Sequence, residues 1–259
     1  MKIIRCIDEN GNTVQAAENA DGELHEIEGS VPGGFMVTDR PVRESKRLVP
    51  YLPGSILGIG ANYRGLFQGK GLPEYPVVFF KCHNTLQNPG DPVVLPRLAI
   101  RAETVKFEGE LAVVIGKGGK NIPAEEAMEH VFGYTIANDV SASDWQRERV
   151  GQQWCKGKGF DTFCPLGPAI VTADEVPDPA ELTIRTLVDG EVAQEEKVAE
   201  MCFSVPELIA FLSAGHTLQP GDLILTGTPP GAYFLEPGAR TEITIDPIGT
   251  LANPWVAEE

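Results

Sequence analysis

Two glutamates separated by one glycine, Glu108-Gly109-Glu110, stand at the start of a long apolar run. Residues 105–115 have the pattern of a β-strand, in which residues two apart point to the same face with Cα atoms about 7 Å apart. Asp139 adds a third carboxylate at the end of a second apolar run, residues 132–138. Carboxylates this close repel each other unless a cation neutralises them, and oxygen ligands without nearby Cys or His favour Mg²⁺ or Mn²⁺ over Zn²⁺. The same spacing also fits the solvated edge of a half-buried strand.

Short apolar runs dominate the chain and predict an α+β, β-rich mixed fold with few helices. Residues 2–6 and 13–16 flank a turn-like segment and predict a hairpin in a small N-terminal β module, residues 1–53. The main domain is predicted over residues 54–259. Helices are predicted over residues 123–132 and after the capping box that starts at Ser204. The predicted strands of the main domain lie at 77–80, 93–95, 107–115, 134–137, 182–188, 223–225 and 241–245.

The charge balance limits the partners that this chain could bind. It has 21 Lys and Arg residues against 37 Asp and Glu residues, and its net charge is −16 at pH 7. Nucleic acid and anionic membranes both need clustered positive charge, so we expect neither as a partner. No apolar run approaches the roughly 18 residues of a membrane span, and the first residues lack the apolar core of a signal peptide. Five cysteines without C-x-x-C spacing are typical of reduced thiols, so we expect a cytoplasmic protein.

Six strings occur in the order and spacing of one known family. They are GIGANYR (58–64), FEGELAVVIGK (107–117), YTIANDVSA (134–142), GKGFDTFCPLGP (157–168), PGDLILTGTP (220–229) and IGTL (248–251). Through these strings the chain resembles the fumarylacetoacetate hydrolase (FAH) family. The resemblance implies an FAH-type β-roll, a homodimer, and a divalent cation on Glu108, Glu110 and Asp139. Family members hydrolyse acylpyruvates, decarboxylate 2-oxo acids or tautomerise enols. The resemblance therefore implies a small anionic 2-oxo acid or β-dicarbonyl substrate that reacts through an enolate.

The resemblance also assigns roles outside the acidic cluster. It implies that Lys158, in a Gly-rich loop, points its ammonium group at the bound substrate and stabilises an anion or enolate. Gln146 matches a glutamine that touches substrate, and Thr228 matches a hydroxyl near the substrate carboxylate. Tyr63 and Arg64 belong to a matching string and are expected to bind substrate. Taken alone, each of these is more often a solvated or turn residue. If Lys158 acts only on substrate, Lys158→Ala should reduce turnover and leave the melting temperature nearly unchanged.

The chain departs from its relatives where water activation is usually assigned. Hydrolytic relatives follow Asn-Tyr-Arg with a His and, three residues later, a Glu that together activate water. Leu66 and Gly69 stand at those positions here. The glycines around them still predict a movable flap, lined by Leu66 and Phe67. Such a flap would exclude water rather than activate it.

Three reactions of an enolate remain in competition. Decarboxylation and isomerisation or tautomerisation need an electron sink and a proton donor but no activated water, and we favour them. C–C hydrolysis of acylpyruvates by a relocated base is the first alternative, with His83 as a candidate base and with Tyr63 and Lys158 able to move protons if the cation lowers their pKa values. A non-catalytic relative that binds a metal and a ligand is the alternative from another class. The intact carboxylates, Lys158 and Thr228 argue against that last possibility.

Overall fold

The protein is described by a computed structural model that covers residues 1–98, 104–148 and 152–259. Its strands β1 to β21 are, in chain order, Lys2–Asp8, Thr13–Glu18, Leu24–Gly29, Phe35–Val42, Glu44–Leu48, Ile56–Gly60, Val77–Lys81, Leu86–Gln87, Val93–Leu95, Val105–Lys106, Gly109–Ile115, Gly119–Lys120, Val131–Asn138, Ser141–Ala142, Cys164–Thr172, Thr183–Val188, Glu191–Lys197, Thr217–Leu218, Leu223–Leu225, Arg240–Ile245 and Gly249–Ala257. Helices α1 and α2 are Trp154–Lys158 and Val205–Ser213. Short 3₁₀ helices lie at Arg64–Leu66, His83–Thr85, Ala124–His130, Ala173–Glu175, Pro179–Glu181 and Val198–Glu200, and a π-helical turn lies at Asp144–Glu148. Strands far outnumber helices, which confirms the predicted β-rich α+β fold.

Within the described residues, the largest sheet runs in the order β4-β3-β2-β1-β15-β13-β11-β19-β6-β7, with β5 paired to β1 and β8 to β15. Strand β11 lies inside this sheet and sends alternate side chains to two cores. Leu111, Val113 and Ile115 belong to one core, and Ala112 and Val114 belong to the other. Both faces of β11 are therefore buried, which is why residues 111–115 form an unbroken apolar run.

A second sheet, in the order β17-β16-β20-β21-β9, covers one face of the first. Ile184 and Ile243 from this sheet and Leu208 from α2 share a core with β11. The predicted capping box is present, because Ser204 and Glu207 bond each other's backbone groups at the start of α2. The second sheet and α2 together keep water from one side of the central strands.

The N-terminal strands continue the main sheet. The predicted hairpin of β1 and β2 is present, and β1 also pairs with β15, with Ile3 opposite Ile170. Ile3 packs in the same core as Ala112. The division at residue 53 therefore remains a prediction about independent units. None of the helices in the described ranges is long and apolar enough to cross a membrane, and all five cysteines are unpaired.

Two predicted elements differ from those observed. The helix expected over 123–132 is a 3₁₀ helix that ends at His130, because β13 begins at Val131 and takes the last positions into the sheet. The single strand expected over 105–115 is split into β10 and β11, since β10 pairs with β14 while β11 pairs with β13. Glu108 lies in the break between these two strands.

Candidate functional site

The register between β11 and β13 brings the acidic residues together. Gly109 pairs with Asn138, so Glu108 and Asp139 follow on adjacent strands at the same end. Their backbones are fixed by two hydrogen bonds: Glu108 N–H donates to Asn138 Oδ1 at 2.9 Å, and Asp139 N–H donates to the Glu108 carbonyl at 2.8 Å. Glu108, Glu110 and Asp139 are all buried, and one carboxylate oxygen from each lies within 4.8 Å of the others. Residues from two different strands thus converge on one point.

Three lysines neutralise this acidic cluster. Lys158 Nζ donates to Glu108 Oε2 at 2.7 Å, to Ser141 Oγ at 2.6 Å, and to Asp139 Oδ2. Lys81 Nζ donates to Asp139 Oδ1 at 2.7 Å, and Lys106 Nζ lies 2.5 Å from Glu108 Oε1. Neither Lys81 nor Lys106 is among the site residues predicted from the sequence.

The prediction that Lys158 lies in a Gly-rich loop was wrong. Lys158 ends helix α1 rather than lying in a loop, and only 1% of its surface is exposed. Its Nζ also lies 4.6 Å from the centre of the Phe79 ring. A lysine in such a place compensates buried carboxylates, so the expectation that its removal would leave stability unchanged does not apply.

The surrounding charges shift the pKa values within the cluster in different directions. Burial would raise the pKa of Glu108, but Lys158 and Lys106 lower it to about 2. Burial and the nearby charge of Asp139 raise the pKa of Glu110 well above its usual value. Burial alone would lower the pKa of Lys158, but Asp139, Glu108 and Glu110 raise it above the ordinary lysine value. Lys158 therefore carries a positive charge in this cluster.

Glu110 indicates that a cation fits this cluster. Among the described residues it receives a hydrogen bond from Gly227 N–H at 2.8 Å and forms no ion pair, whereas its two acidic neighbours are paired with lysines. A buried carboxylate with a raised pKa would be stabilised in its ionised form by a divalent ion. The three donors are all hard oxygens, the type that Mg²⁺, Mn²⁺ and Ca²⁺ take. Glu108, Glu110 and Asp139 would hold such an ion.

The cluster opens into a cavity of about 320 Å³. Gln146 and Thr228, both predicted site residues, line it together with Lys106 and Lys158. Gln146 is buried, and its Oε1 atom has no hydrogen-bond partner within the described residues. The flap residues Leu66 and Phe67 line the cavity as predicted. The cavity therefore has a charged floor beneath an apolar flap.

Buried side-chain amides that were not predicted from the sequence hold the wall of the cavity around Thr228 in place. Gln194 Nε2 donates to Thr228 Oγ1 at 2.8 Å and to the Pro229 carbonyl at 2.7 Å. Thr228 Oγ1 in turn donates to the Gly109 carbonyl at 2.9 Å. Asn62 Nδ2 donates to the Thr226 carbonyl at 2.8 Å. The string around Asn62 could have suggested a structural role for it, whereas nothing in the sequence distinguishes Gln194 from the polar residues beside it.

Other predicted residues lie away from the cavity wall. Tyr63 is fully buried in the apolar core, and burial together with the charge of Glu110 raises its pKa, which argues against Tyr63 as a base. Arg64 is exposed at the start of a 3₁₀ helix. His83 is exposed, with Nε2 at 2.9 Å from the Gly54 carbonyl. None of these three residues lines the described cavity.

Comparisons with known proteins agree with this fold. Residues 55–256 match the model of the fumarylacetoacetate hydrolase C-terminal domain. The mitochondrial oxaloacetate tautomerase FAHD2A of Homo sapiens is 46% identical over 213 residues, which are 79% of this chain and 67% of that protein. The corresponding Xenopus laevis protein is also 46% identical over 213 residues, with 79% and 66% covered. The chain thus spans about two thirds of the length of these relatives.

A solved structure resembles the whole chain. The 5-carboxymethyl-2-hydroxymuconate delta-isomerase of Mycobacterium smegmatis superposes with a TM-score of 0.89 at 39% identity, and all of both chains is covered. The described fold is therefore shared over its full length, including the N-terminal strands. This chain belongs to the fumarylacetoacetate hydrolase family.

Proposed function

We propose that this chain is a divalent-metal-dependent enzyme that interconverts the enol and keto forms of a 2-oxo acid, with Mg²⁺ or Mn²⁺ on Glu108, Glu110 and Asp139. The observation that carries the proposal is the composition of the cavity. It joins Glu108 and Glu110 of the acidic cluster and the ammonium of Lys158 to an apolar flap, and none of the four histidines lines it within the described residues. Enol–keto exchange needs a stabilised enolate and does not need an activated water.

The groups at the cavity have different roles in the proposed reaction. A divalent cation, when bound, supplies Lewis-acid polarisation of the substrate carbonyl. Lys158 is positively charged in this cluster, because neighbouring carboxylates raise its pKa, and its charge stabilises negative charge on the substrate. In the enol-to-keto direction its Nζ group gives a proton to the substrate carbon and regains one from the enol hydroxyl, so that no proton is gained or lost overall. Thr228 and Gln146 orient the substrate with polar groups on the wall. Leu66 and Phe67 keep bulk water from the reacting carbon.

The named relatives support this reaction. Two of them are oxaloacetate tautomerases, and the superposed structure is an isomerase. Oxaloacetate is therefore the first substrate to test. Decarboxylation of a 2-oxo acid would use the same groups and is a second product to look for in the same assay.

The test incubates the protein with Mg²⁺ and either oxaloacetate or a panel of acylpyruvates, and follows the products by NMR. We expect enol–keto exchange of oxaloacetate that EDTA abolishes. Acylpyruvate cleavage should be slower than in hydrolytic relatives by about 10²- to 10⁴-fold, the usual contribution of a general base. Glu129→Gln, which changes an exposed carboxylate paired only with Lys117, is the control for the site variant Glu110→Gln. Rapid, metal-dependent acylpyruvate cleavage would refute the proposal.

We also propose a cytoplasmic homodimer. The edge strand β7 supports the dimer, because it exposes Val77, Val78 and Phe80 at one end of the main sheet. Unpaired cysteines support a reducing compartment, although the named animal relatives are mitochondrial. Light scattering on the protein and on Phe80→Glu would test the dimer, and imaging of a tagged chain would test the location.

A further inference from the structure

The two lysines that line the cavity are held very differently. Lys158 Nζ has three side-chain partners and is 1% exposed. Lys106 Nζ has one partner in the described part of the chain, Glu108 Oε1, and 17% of its side chain is exposed. An ammonium group can donate three hydrogen bonds, so Lys106 has donors to spare beside the cavity.

The backbone of Lys106 is anchored although its side-chain end is not. Lys106 pairs with Ser141 on one side and forms a bridge with Phe234 on the other. The Leu235 N–H donates to the carbonyl of the preceding residue, Val105, at 2.9 Å. A long, unbranched side chain on a fixed base can exchange one partner for another without moving the fold.

Glu108 is the partner that Lys106 would release. Its two carboxylate oxygens are taken by Lys106 and Lys158. An ion on Glu108 would compete with both lysines, and Lys106 is the one with fewer other bonds. Metal binding therefore favours a Lys106 ammonium that is free to meet another anion.

The charge count of the cluster points to a doubly charged ligand. Three carboxylates are balanced by Lys81, Lys106 and Lys158 when all are ionised, as metal binding requires. A divalent ion then gives the cluster an excess of positive charge that matches the negative charge of a dianion. The flap side of the cavity is apolar at Leu66 and Phe67, so a second carboxylate on the ligand would be costly to bury there without a cation.

We propose that Lys106 determines substrate specificity by binding the distal carboxylate of a 2-oxo diacid, the carboxylate farther from the reacting carbonyl. The inference rests on the proposed function for the substrate class, but Lys106 is assigned from its own contacts. Lys106 leaves Glu108 when the metal and the diacid bind. Monocarboxylic 2-oxo acids lack this contact and bind more weakly.

The experiment compares two inert ligands, malate and lactate, which share a 2-hydroxy acid group and differ by the distal carboxylate. Calorimetry measures their binding to the Mn²⁺-loaded protein. We expect malate to bind about 10- to 100-fold more tightly than lactate, the range for a hydrogen bond between charged groups. Lys106→Met should lose most of this preference and leave lactate affinity unchanged. Lys106→Arg should keep the preference, and Lys117→Met, which removes an exposed lysine elsewhere, should match the parent.

Mn²⁺ affinity separates this role from a role in holding the metal site. Lys106→Met removes a cation that competes for Glu108, so Mn²⁺ should bind as tightly as in the parent or more tightly. Lys106→Gln is a second variant with the same expectation if the first folds poorly. The proposal is overturned if the parent does not prefer malate, if both neutral variants keep the preference, or if they weaken malate and lactate equally. Because ligand binding is the readout, the result stands whether or not enol–keto exchange is found.

Discussion

Lys158 is buried against two carboxylates, so its replacement should affect stability as well as activity. Lys158→Ala removes an ammonium that pairs with both Glu108 and Asp139, and within the described residues leaves Glu108 only Lys106 and Asp139 only Lys81. Removing one partner of a buried ion pair typically costs about 3–5 kcal/mol, which lowers the Tm of a chain of this size by about 6–20 °C. Differential scanning calorimetry in EDTA should show this fall, and Mn²⁺ should recover part of it. Replacement of the exposed Lys117 is the control. An unchanged Tm in EDTA would contradict the buried setting.

Neutral replacement of Glu110 and neutral replacement of Asp139 should change the Tm differently, although calorimetry should show that both variants lose Mn²⁺ binding. Asp139→Asn leaves Lys81 without a carboxylate partner in the described residues and leaves Lys158 paired with Glu108 alone, so it should lower the Tm. Glu110→Gln removes a carboxylate whose pKa is raised and keeps an acceptor for the Gly227 N–H. Unchanged Mn²⁺ affinity in both variants would argue against the metal site.

The sign of the pH effect follows from the direction of the Glu110 shift. A raised pKa in the folded state means that Glu110 stabilises the fold at low pH, and this contribution is lost as pH rises through the folded-state value. Glu110→Gln lacks this loss. In EDTA the Tm of Glu110→Gln should therefore rise relative to the Tm of the parent as pH increases. A difference in Tm that is constant with pH would show that Glu110 ionises normally.

Some site residues could be predicted from the sequence because their signal is local. Glu108 and Glu110 are two residues apart, and the same spacing relates Lys106 to Glu108, so that lysine could have been found by extending the pattern. Lys81 could not, because its partner Asp139 is 58 residues away in the chain. Gln194 could not either, since its importance comes from burial beneath Thr228.

At the scale of elements, the flap and the segment opposite it define the mouth of the cavity. A Cβ on Gly65 would meet Pro230 Cγ at 2.7 Å, whereas a Cβ on Gly71 would meet nothing within 4 Å. Gly65→Ala should therefore push the flap from the opposite wall and weaken Mg²⁺-dependent binding of oxalate, an enolate mimic, by roughly 1 kcal/mol, or several-fold. Gly71→Ala should bind oxalate like the parent. Equal affinities in both variants, measured by calorimetry, would show that the flap does not depend on this contact.

The same flap explains why a hydrolytic pair is not easily restored. Gly69, where relatives carry the Glu, has φ of +83°, a conformation that side-chain-bearing residues rarely adopt. The backbone conformation of the loop therefore disfavours a Glu at position 69, in addition to the difference in sequence.

Elements with strong patterns were predicted well, and short ones were not. Strands β11 and β13 are buried along almost their whole length, and both contain a run of apolar residues. Helix α1 was taken for a loop because it has five residues and contains Gly157. That glycine is required by close packing, since a Cβ there would meet the Gln146 backbone nitrogen at 2.8 Å. A glycine that allows two elements to approach looks the same in sequence as one that makes a loop flexible.

At the scale of the whole molecule, strand order was beyond the sequence. β15 lies between β1 and β13, so the N-terminal strands join the main sheet through pairing between residues about 170 positions apart, such as Ile3 and Ile170. No local pattern specifies such a partner. The predicted boundary at residue 53 came from a local hairpin pattern, whereas the pairing and the shared core make the N-terminal strands an extension of the main sheet.

This continuity predicts that the N-terminal strands and the rest of the chain unfold together. Ile3 is fully buried beside residues of β11 and β15. Ile3→Ala should cost about 2–5 kcal/mol, as for other buried aliphatic truncations, and should lower the Tm of one cooperative calorimetric transition. Mn²⁺ should raise the Tm of that same transition in both proteins, because an ion that binds only the folded state stabilises everything that unfolds with its site. Met36→Ala, an exposed change on β4, should leave the Tm unchanged. Two transitions, with Ile3→Ala moving one and Mn²⁺ moving the other, would instead show that residues 1–53 form a separate folding unit.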